Sequence, residues 1–160
     1  MTAGAQVDVG EPVEAASLPA VTLDARQLGD LELILSGAFA PLRGFMTQAD
    51  AAAVASTATL SDGTPWPIAV TLDVPATAVP ADADRVMLSD PETTPLAVLT
   101  ITERSDAPAG PGKVRLAGPV SGYRAPEHGS FRRLMISPEQ ARAQMAGTPV
   151  LAFATQAPLG

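Results

Sequence analysis

The sequence predicts an α+β domain in which a small, mostly antiparallel β-barrel is flanked by helices. Two helix-type patterns near the start of the chain and one near its end enclose a middle section in which apolar residues recur with a period of two. A length of 160 residues fits one domain with a substantial core and is short for two full domains.

The composition disfavours membrane, exported and metal-dependent classes of protein. Although 46% of the residues are hydrophobic, no uninterrupted apolar run approaches the roughly 20 residues that span a bilayer. The first residues include Asp8, Glu11 and Glu14 in place of the basic start of a signal peptide. Without cysteine the chain has no disulfides or thiolates, and a single histidine cannot form a multi-histidine metal site. We therefore expect a cytoplasmic protein without metal or cofactor.

The charge argues against nucleic acid as a partner. Ten basic and seventeen acidic residues give a net charge of −7, and Lys113 is the only lysine. Such a field repels phosphate backbones. No nucleic-acid partner is therefore expected.

The N-terminal residues Met1–Ser17 are small, polar and acidic without a period, which predicts a flexible arm. Order is expected to begin at Leu18–Leu23. The pattern Asp24-Ala25-Arg26-Gln27 predicts a capping box, in which the Asp24 side chain accepts a hydrogen bond from the Gln27 amide. A helix should follow and end at Gly37, with one apolar stripe formed by Leu28, Leu31, Ile34 and Leu35.

The next segments predict a loop, a helix and a strand. Glycine and proline interrupt the apolar stretch Gly37–Met46, which favours a packed loop. Thr47–Asp50 begins a short alanine-rich helix that continues to about Ser56, and Asp62-Gly63 marks a tight turn. Trp66–Val74 then has the alternation of a strand.

Two further apolar runs predict a hairpin. Arg85–Leu88 and Leu96–Thr102 are strand-like, and Asp90–Pro95 should close them. Ser105–Gly112 is predicted as a flexible connector. Lys113–Val120 is predicted as a fourth strand, which Gly118 and Pro119 should confine to a sheet edge or a bulge.

The C-terminal part of the sequence predicts one helix and one strand. After the turn-rich stretch Ser121–Ser130, Ser137-Pro138-Glu139-Gln140 supplies an N-cap, a proline at the first helical position and a second capping box. This helix should stop at Gly147. Thr148–Thr155 is a short apolar run, typical of a buried strand.

From the residues alone no catalytic constellation is found, because the sequence has no Gly-rich phosphate loop and no nucleophile elbow. His128 could orient a neighbouring domain, but a lone histidine is more often structural. Arg132-Arg133 could hold an anion, although pairing with nearby carboxylates such as Glu127 or Glu139 fits the acidic chain better.

Arg43, Trp66 and the carboxylates of α-helical Asp30 and Glu32 also have both a functional and a structural interpretation. Arg43 could face a ligand, but the glycine and proline around it are explained by a tight backbone turn. Trp66 could be an exposed stacking platform, although burial in the barrel seam is favoured. Asp30 and Glu32 lie two residues apart on a helix and diverge, which disfavours a pair of acid and base carboxylates. We assign no catalytic, substrate-binding or metal-binding residue.

The most specific signal is a series of short sequence motifs that follow one another in a fixed order along the chain. They are L-P-x-x-x-L-x-x-R-Q-L-x-D-L-E-L-I-L-S-G-A-F-x-P-L-x-G-F-M from Leu18, D-G-x-x-W-P-I from Asp62, T-L-D-V, V-M-L-S-D-P-E with P-L-A-V-L-T-I, G-P-V-S-G through P-x-H, S-P-E-Q-A-R and V-L-A-F. Together they resemble the N-terminal, PUA-like β-barrel domain of ATP sulfurylase (sulfate adenylyltransferase). The resemblance covers nearly everything after Ser17 and implies a PUA-like small β-barrel with flanking helices.

The resemblance also implies a reaction that this chain does not support by itself. In the family, sulfate and ATP give adenylyl sulfate and pyrophosphate, and a Gln-Thr-Arg-Asn-Pro-x-His loop binds the phosphates and sulfate. Thr155 and Pro158 match that loop, whereas its Gln, Arg, Asn and His positions hold Ala154, Gln156, Ala157 and Gly160. Gln156 lacks the bidentate fork that arginine offers an oxyanion. A family stretch is also shortened and replaced by Asp106–Gly112.

The sequence thus predicts three segments. Residues 1–17 are the flexible arm, residues 18–147 the PUA-like domain, and residues 148–160 a strand with a degenerate start of the nucleotidyl-transfer domain. The expected role is structural or docking, with a nucleotidyl-transfer domain or an adenylyl-sulfate kinase as partner. The alternatives are an RNA-binding PUA-type module, since such barrels occur in RNA-modifying proteins, and a sensor of sulfate or adenylyl sulfate.

Overall fold

The structure is a computed structural model, and it describes residues 17–108, 110–122 and 136–150. The chain divides into two compact units, residues 1–127 and residues 128–160. Except for Ser17, the predicted arm lies outside the described residues. The same is true of His128, of Arg132-Arg133 and of the part of the predicted strand that follows Val150.

The described part of the first unit contains seven strands and two α-helices, and both helices precede the third strand. These are β1 (Ala20–Thr22), α1 (Ala25–Leu35), β2 (Gly44–Phe45), α2 (Gln48–Thr57), β3 (Leu72–Pro75), a 3-10 turn (Ala76–Ala78), β4 (Arg85–Ser89), β5 (Pro95–Thr100), β6 (Glu103–Asp106) and β7 (Lys113–Gly122). In the second unit the described helix is α3 (Pro138–Met145). The elements confirm the predicted α+β class.

The strands form a seven-stranded sheet that curls into a half-barrel around β7. Its path is β1-β4-β5-β7-β2, and β3 and β6 also pair with β7. β1 runs parallel to β4, whereas the other pairings are antiparallel. The predicted hairpin is confirmed as β4 and β5, and the Asp90 carboxylate accepts a hydrogen bond from the Thr94 amide across its turn.

β7 changes its partners at a kink in its middle. Its first half lies between β3 and β6, and its second half pairs with β2 and β5. Gly118 lies at the change with φ +145°, where a Cβ atom would stand 2.0 Å from the Thr100 carbonyl oxygen. Only glycine fits this backbone approach. The kink allows one strand to serve both halves of the curled sheet.

The core lies on the inner side of this sheet, against α1 and the loops. In the register of β3 and β7, Leu72 pairs with Leu116 and Val74 with Val114, and all four are buried. Between them, Asp73 and Arg115 point to the opposite face because side chains alternate along a strand. The pattern T-L-D-V in β3 therefore contributes two core residues and one polar residue.

Both predicted capping boxes are present. The Asp24 side chain accepts from the Gln27 amide at 2.8 Å, and the Gln27 side chain accepts from the Asp24 amide at 3.0 Å. At α3, Ser137 and Gln140 make the same reciprocal pair. The helix α2 begins after its N-cap Thr47, close to the predicted position.

Three predictions about strands need correction. The predicted strand Trp66–Val74 begins only at Leu72, because the Trp66 amide bonds the Ala58 carbonyl, while Pro67 has no N–H and Ile68 is exposed. The packed loop Gly37–Met46 includes the two-residue strand β2. The connector predicted from Ser105 begins inside β6, whose sequence E-R-S-D has no apolar alternation.

Two further predictions differ from the structure near the C-terminal end. Lys113–Val120 is predicted at a sheet edge or a bulge, and the edge position is wrong, because β7 pairs with β2, β3, β5 and β6 and continues through Gly118, whose φ is +145°. Thr148, Pro149 and Val150, the described part of the predicted buried strand Thr148–Thr155, have no strand structure and are exposed. The remainder of that strand is outside the described residues.

Candidate functional site

A cleft of about 200 Å³ lies where the loop before α2 crosses the kink of β7. Apolar side chains form most of its wall, and Arg43, Thr47 and Asp50 add polar groups. The other lining residues are Leu42, Gly44, Phe45, Met46, Gly118 and Pro119. Of the positions considered from the sequence, Arg43 is the one that lines this cleft.

Two glycines make this crossing possible. Gly44 pairs with Pro119, and a Cβ atom on Gly44 would lie 1.9 Å from the Gly118 carbonyl oxygen. The carbonyl of Arg43 accepts a hydrogen bond from the Val120 amide at 2.9 Å, and the Met46 amide donates to the Val70 carbonyl at 2.9 Å. The P-L-R-G-F-M word is therefore explained by close backbone packing.

The polar groups of the cleft serve the fold. The Asp50 carboxylate accepts hydrogen bonds from the Thr47 hydroxyl at 2.9 Å and from the amide and hydroxyl of Ser61. These bonds, the Ser61 hydroxyl first, hold the pKa of Asp50 below its usual value. A carboxylate that is ionised at neutral pH makes this cleft unfavourable for an anion, in spite of the exposed Arg43.

The cleft is too small for a nucleotide, and its side chains are not those of a nucleotide-binding site. Ligand pockets have volumes of roughly 300–1,000 Å³, and this cleft has about 200 Å³. Its side chains include no cysteine, lysine or histidine, and its carboxylate is already held by three donors. Among the described residues no group of acidic and histidine side chains is arranged to hold a metal ion.

Trp66 and Asp30, two other candidates from the sequence, make contacts within the fold. The rings of Phe39 and Trp66 meet edge to face with centroids 5.5 Å apart, and the indole N–H of Trp66 is buried. Trp66 is thus half-buried and is not an open stacking platform. Asp30 forms an ion pair with Arg26 at 2.7 Å, and burial raises the pKa of this carboxyl.

Asp73 and Arg115 form a bidentate ion pair that the sequence patterns did not indicate. The guanidinium donates to both carboxylate oxygens at 2.6 and 2.8 Å, and the two side chains are only 14% and 13% exposed. The hydrogen bond to Asp73 raises the pKa of Arg115. Each strand has one charged residue among alternating apolar residues, and this pattern could have indicated a cross-strand pair. The register that places Asp73 opposite Arg115 cannot be derived from either strand alone.

α1 is attached to β3 and to the residue that precedes it. The Gln27 side-chain amide donates to the Asp73 carbonyl at 3.0 Å, and Arg26 donates to the Thr71 carbonyl at 3.1 Å. Arg104 similarly bonds the carbonyls of Val79, Pro80 and Ala83. Gln27, Arg26 and Arg104 therefore join elements of the first unit to one another.

Comparison with known proteins gives the same family for nearly the whole chain. A family model described as a PUA-like domain matches residues 6–146. The sulfate adenylyltransferase of Candida albicans is 48% identical over 99 residues, which cover 55% of this chain and 19% of that protein. The sulfate adenylyltransferase of Deinococcus radiodurans is 32% identical over 174 residues, covering 93% of this chain and 44% of that protein.

The alignment with the Deinococcus protein is longer than the 160 residues of this chain, so the relative contains residues that this chain lacks. A solved structure described as a hexameric APS kinase from Thiobacillus denitrificans has a TM-score of 0.71 and 38% identity. The match covers 84% of this chain and 27% of that one.

The chain spans less than half the length of these relatives, between 19% and 44% of the two sulfate adenylyltransferases. Among the described residues no helix is long and apolar enough to cross a membrane. The family match, the curled sheet and the relatives agree with the resemblance found in the sequence words. The chain belongs to the PUA-like domain family and is similar to the N-terminal PUA-like domain of sulfate adenylyltransferases.

Proposed function

We propose that this chain is a non-catalytic PUA-like domain of sulfate activation, with a structural or docking role toward a nucleotidyl-transfer domain or an adenylyl-sulfate kinase in the cytoplasm. The observation that carries the proposal is the similarity to sulfate adenylyltransferases over 93% of the chain. The APS kinase that shares the fold supports the second type of partner.

The chemistry of the family reaction supports the non-catalytic role. In-line transfer at a phosphate needs several positive groups aimed at the charge that develops in the transition state. The cleft between the loop before α2 and β7 offers Arg43 beside the ionised Asp50 and has too little volume for a nucleotide. The Gln and Arg positions of the family's phosphate loop are Ala154 and Gln156, which supply no positive charge.

The same observations disfavour the two alternatives. RNA binding requires arginines that are available to phosphates, but Arg26, Arg104 and Arg115 are engaged within the fold and the net charge is −7. A sensor of adenylyl sulfate requires a pocket of nucleotide size, which the cleft does not provide.

Pyrophosphate release from ATP and sulfate tests the proposal. The purified chain is assayed alone and after mixing with a nucleotidyl-transfer domain of a sulfate adenylyltransferase, which is first shown to unfold cooperatively, or with an adenylyl-sulfate kinase. We expect no release by the chain alone and a changed rate in one mixture. Release by the chain alone, or no effect and no binding in either mixture, would contradict the proposal.

A further inference from the structure

β4 and β5 are buried on both of their faces. The buried residues run without a break from Val86 to Ser89 in β4 and from Leu96 to Leu99 in β5. An antiparallel pair with one face in water alternates between buried and exposed residues, whereas a continuous buried run indicates that both faces are covered. The main core covers one face. The face that points away from this core, the outer face of the hairpin, therefore has a cover of its own.

Met87 and Val98 mark this outer face. They lie opposite each other in the register of β4 and β5 and are only 4% and 7% exposed. They form an apolar cluster separate from the main core, and among the described residues Leu18 is the hydrophobic side chain that packs against it. A fully buried residue touches about 6–12 others. A single leucine that is itself partly exposed covers only part of the pair.

The chain that leads into Leu18 is in the right place to complete the cover. Residues 1–16, which lie outside the described residues, join the described chain at Ser17, directly before Leu18. Val13 is five residues before Leu18, and because an extended chain spans at most about 3.6 Å per residue, Val13 lies within about 18 Å of it. The PUA-like family match begins at residue 6 and thus includes residues 6–16.

The charge of residues 6–16 suits the same face. This segment contains Asp8, Glu11 and Glu14 and no basic residue. Arg85 lies two residues before Met87, and because side chains alternate along a strand, both point to the outer face of β4. A positive charge beside an apolar pair favours an acidic segment that also carries valines.

We propose that residues 6–16, the N-terminal strap, pack across the outer face of the β4–β5 hairpin, with Val13 against Met87 and Val98. Composition alone predicts a flexible arm over Met1–Ser17, but the buried pair gives the strap a surface on which its valines leave water. The strap thereby completes the domain and shields an apolar pair of the sheet. This packing does not depend on the docking role proposed above.

Oxidation of methionine by hydrogen peroxide measures this cover directly, because the reactivity of each thioether follows its exposure. Met87 is the reporter in the full chain. Met46, 2% exposed, and Met145, 43% exposed, are internal references for a closed and an open site. Peptide mass spectrometry gives the three rates in one sample. We expect Met87 of the wild type to react as slowly as Met46.

Substitution of Val13 opens the cover. Val13→Asp places a charge at the apolar contact, Val13→Ile keeps the contact apolar, and Ala5→Asp adds the same charge outside the strap. We expect Val13→Asp to raise the oxidation rate of Met87 to that of Met145 and to lower the melting temperature by about 5 °C or more. Both controls should behave as the wild type. Slow oxidation of Met46 verifies that the core of each variant is folded.

A double-mutant cycle uses milder variants, so that it remains decisive if Val13→Asp also exposes Met46. Val98 and Leu99 are neighbours on β5 that point to opposite faces. We expect the shifts in urea midpoint from Val13→Ala and Val98→Ala to be non-additive, because the two side chains touch. The shifts from Val13→Ala and Leu99→Ala should add.

Three outcomes would overturn the proposal. The first is slow oxidation of Met87 in Val13→Asp together with additive shifts for Val13→Ala and Val98→Ala. The second is a loss of Met87 protection in Tyr123→Ser but not in Val13→Asp, which would assign the cover to the residues that follow β7. The third is a dimer in sedimentation that Met87→Lys dissociates, which would show that a second copy covers the outer face.

Discussion

β7 and α3 are both marked by clear local sequence signals, but they differ in what surrounds them. β7 contacts β2, β3, β5 and β6, and its Leu116 is fully buried. α3 is capped at both ends and buries no residue. Local signals therefore decide where an element begins and ends, whereas packing decides how much it contributes to the stability of the fold. The first element therefore organises the sheet, whereas the second buries none of its described residues.

The largest expected effect on stability comes from substituting alanine for a glycine of β7, compared with the same substitution just after α3. Gly118 and Gly147 both have positive φ, but a Cβ atom on Gly118 meets the Thr100 carbonyl at 2.0 Å, whereas on Gly147 it meets open space. Gly118→Ala should destabilise the first unit by about 3 kcal/mol or more through strain and displacement of β7. Gly147→Ala should leave its thermal unfolding unchanged. Equal melting temperatures of the two variants would contradict this contrast.

Truncation of one apolar side chain in each element sharpens the same contrast. Leu116→Ala removes a fully buried side chain of β7 and should cost about 2–5 kcal/mol. Met145→Ala removes a half-exposed side chain of α3 and should change the free energy of unfolding by less than about 0.5 kcal/mol. Urea titration of Trp66 fluorescence measures both. A cost of Met145→Ala close to that of Leu116→Ala would show that α3 belongs to the core.

Two ion pairs that differ in exposure extend the comparison from apolar to charged side chains. Asp73→Asn leaves the Arg115 guanidinium, 13% exposed, without its counter-charge, and should cost about 2 kcal/mol or more. Asp30→Asn breaks a pair whose Arg26 is 54% exposed, and should change stability by less than about 1 kcal/mol. Chemical denaturation at pH 7 measures both variants. A larger cost for Asp30→Asn would contradict the role given to the β3–β7 pair.

The smallest expected effect is on pH dependence. The folded-state pKa of Asp50 lies below its usual value, so its hydrogen bonds stabilise the fold above the unfolded pKa of about 4, and this contribution is lost as the pH falls through the folded pKa. Asp50→Asn should therefore be less stable than the wild type at pH 7 and approach it in strong acid. A difference in melting temperature that stays constant between pH 7 and pH 2 would show that ionisation of Asp50 contributes nothing.

Sequence reasoning located the elements that local chemistry determines. Asp24 with Gln27 and Ser137 with Gln140 specify helix starts through hydrogen bonds between residues three apart, and both are present. The turn from Asp90 likewise closes the β4–β5 hairpin.

What the sequence did not reveal depends on pairing between distant strands. The polar strand β6 exists because β7 offers it a partner, and Gly118 permits a kink where glycine and proline usually suggest an edge. The Asp73–Arg115 pair is likewise created by register. Arg43 was considered for a site, but the volume of its cleft and its neighbour Asp50 were not accessible from the chain alone.

Hydrogen exchange of the full chain tests the central claim most directly, because it measures β7 and α3 in one experiment. We predict slow exchange at β7, whose inward-facing residues are buried, and fast exchange at α3, which buries no residue. Protection of α3 equal to that of β7 would contradict the account of α3 as a helix specified mainly by its capping residues.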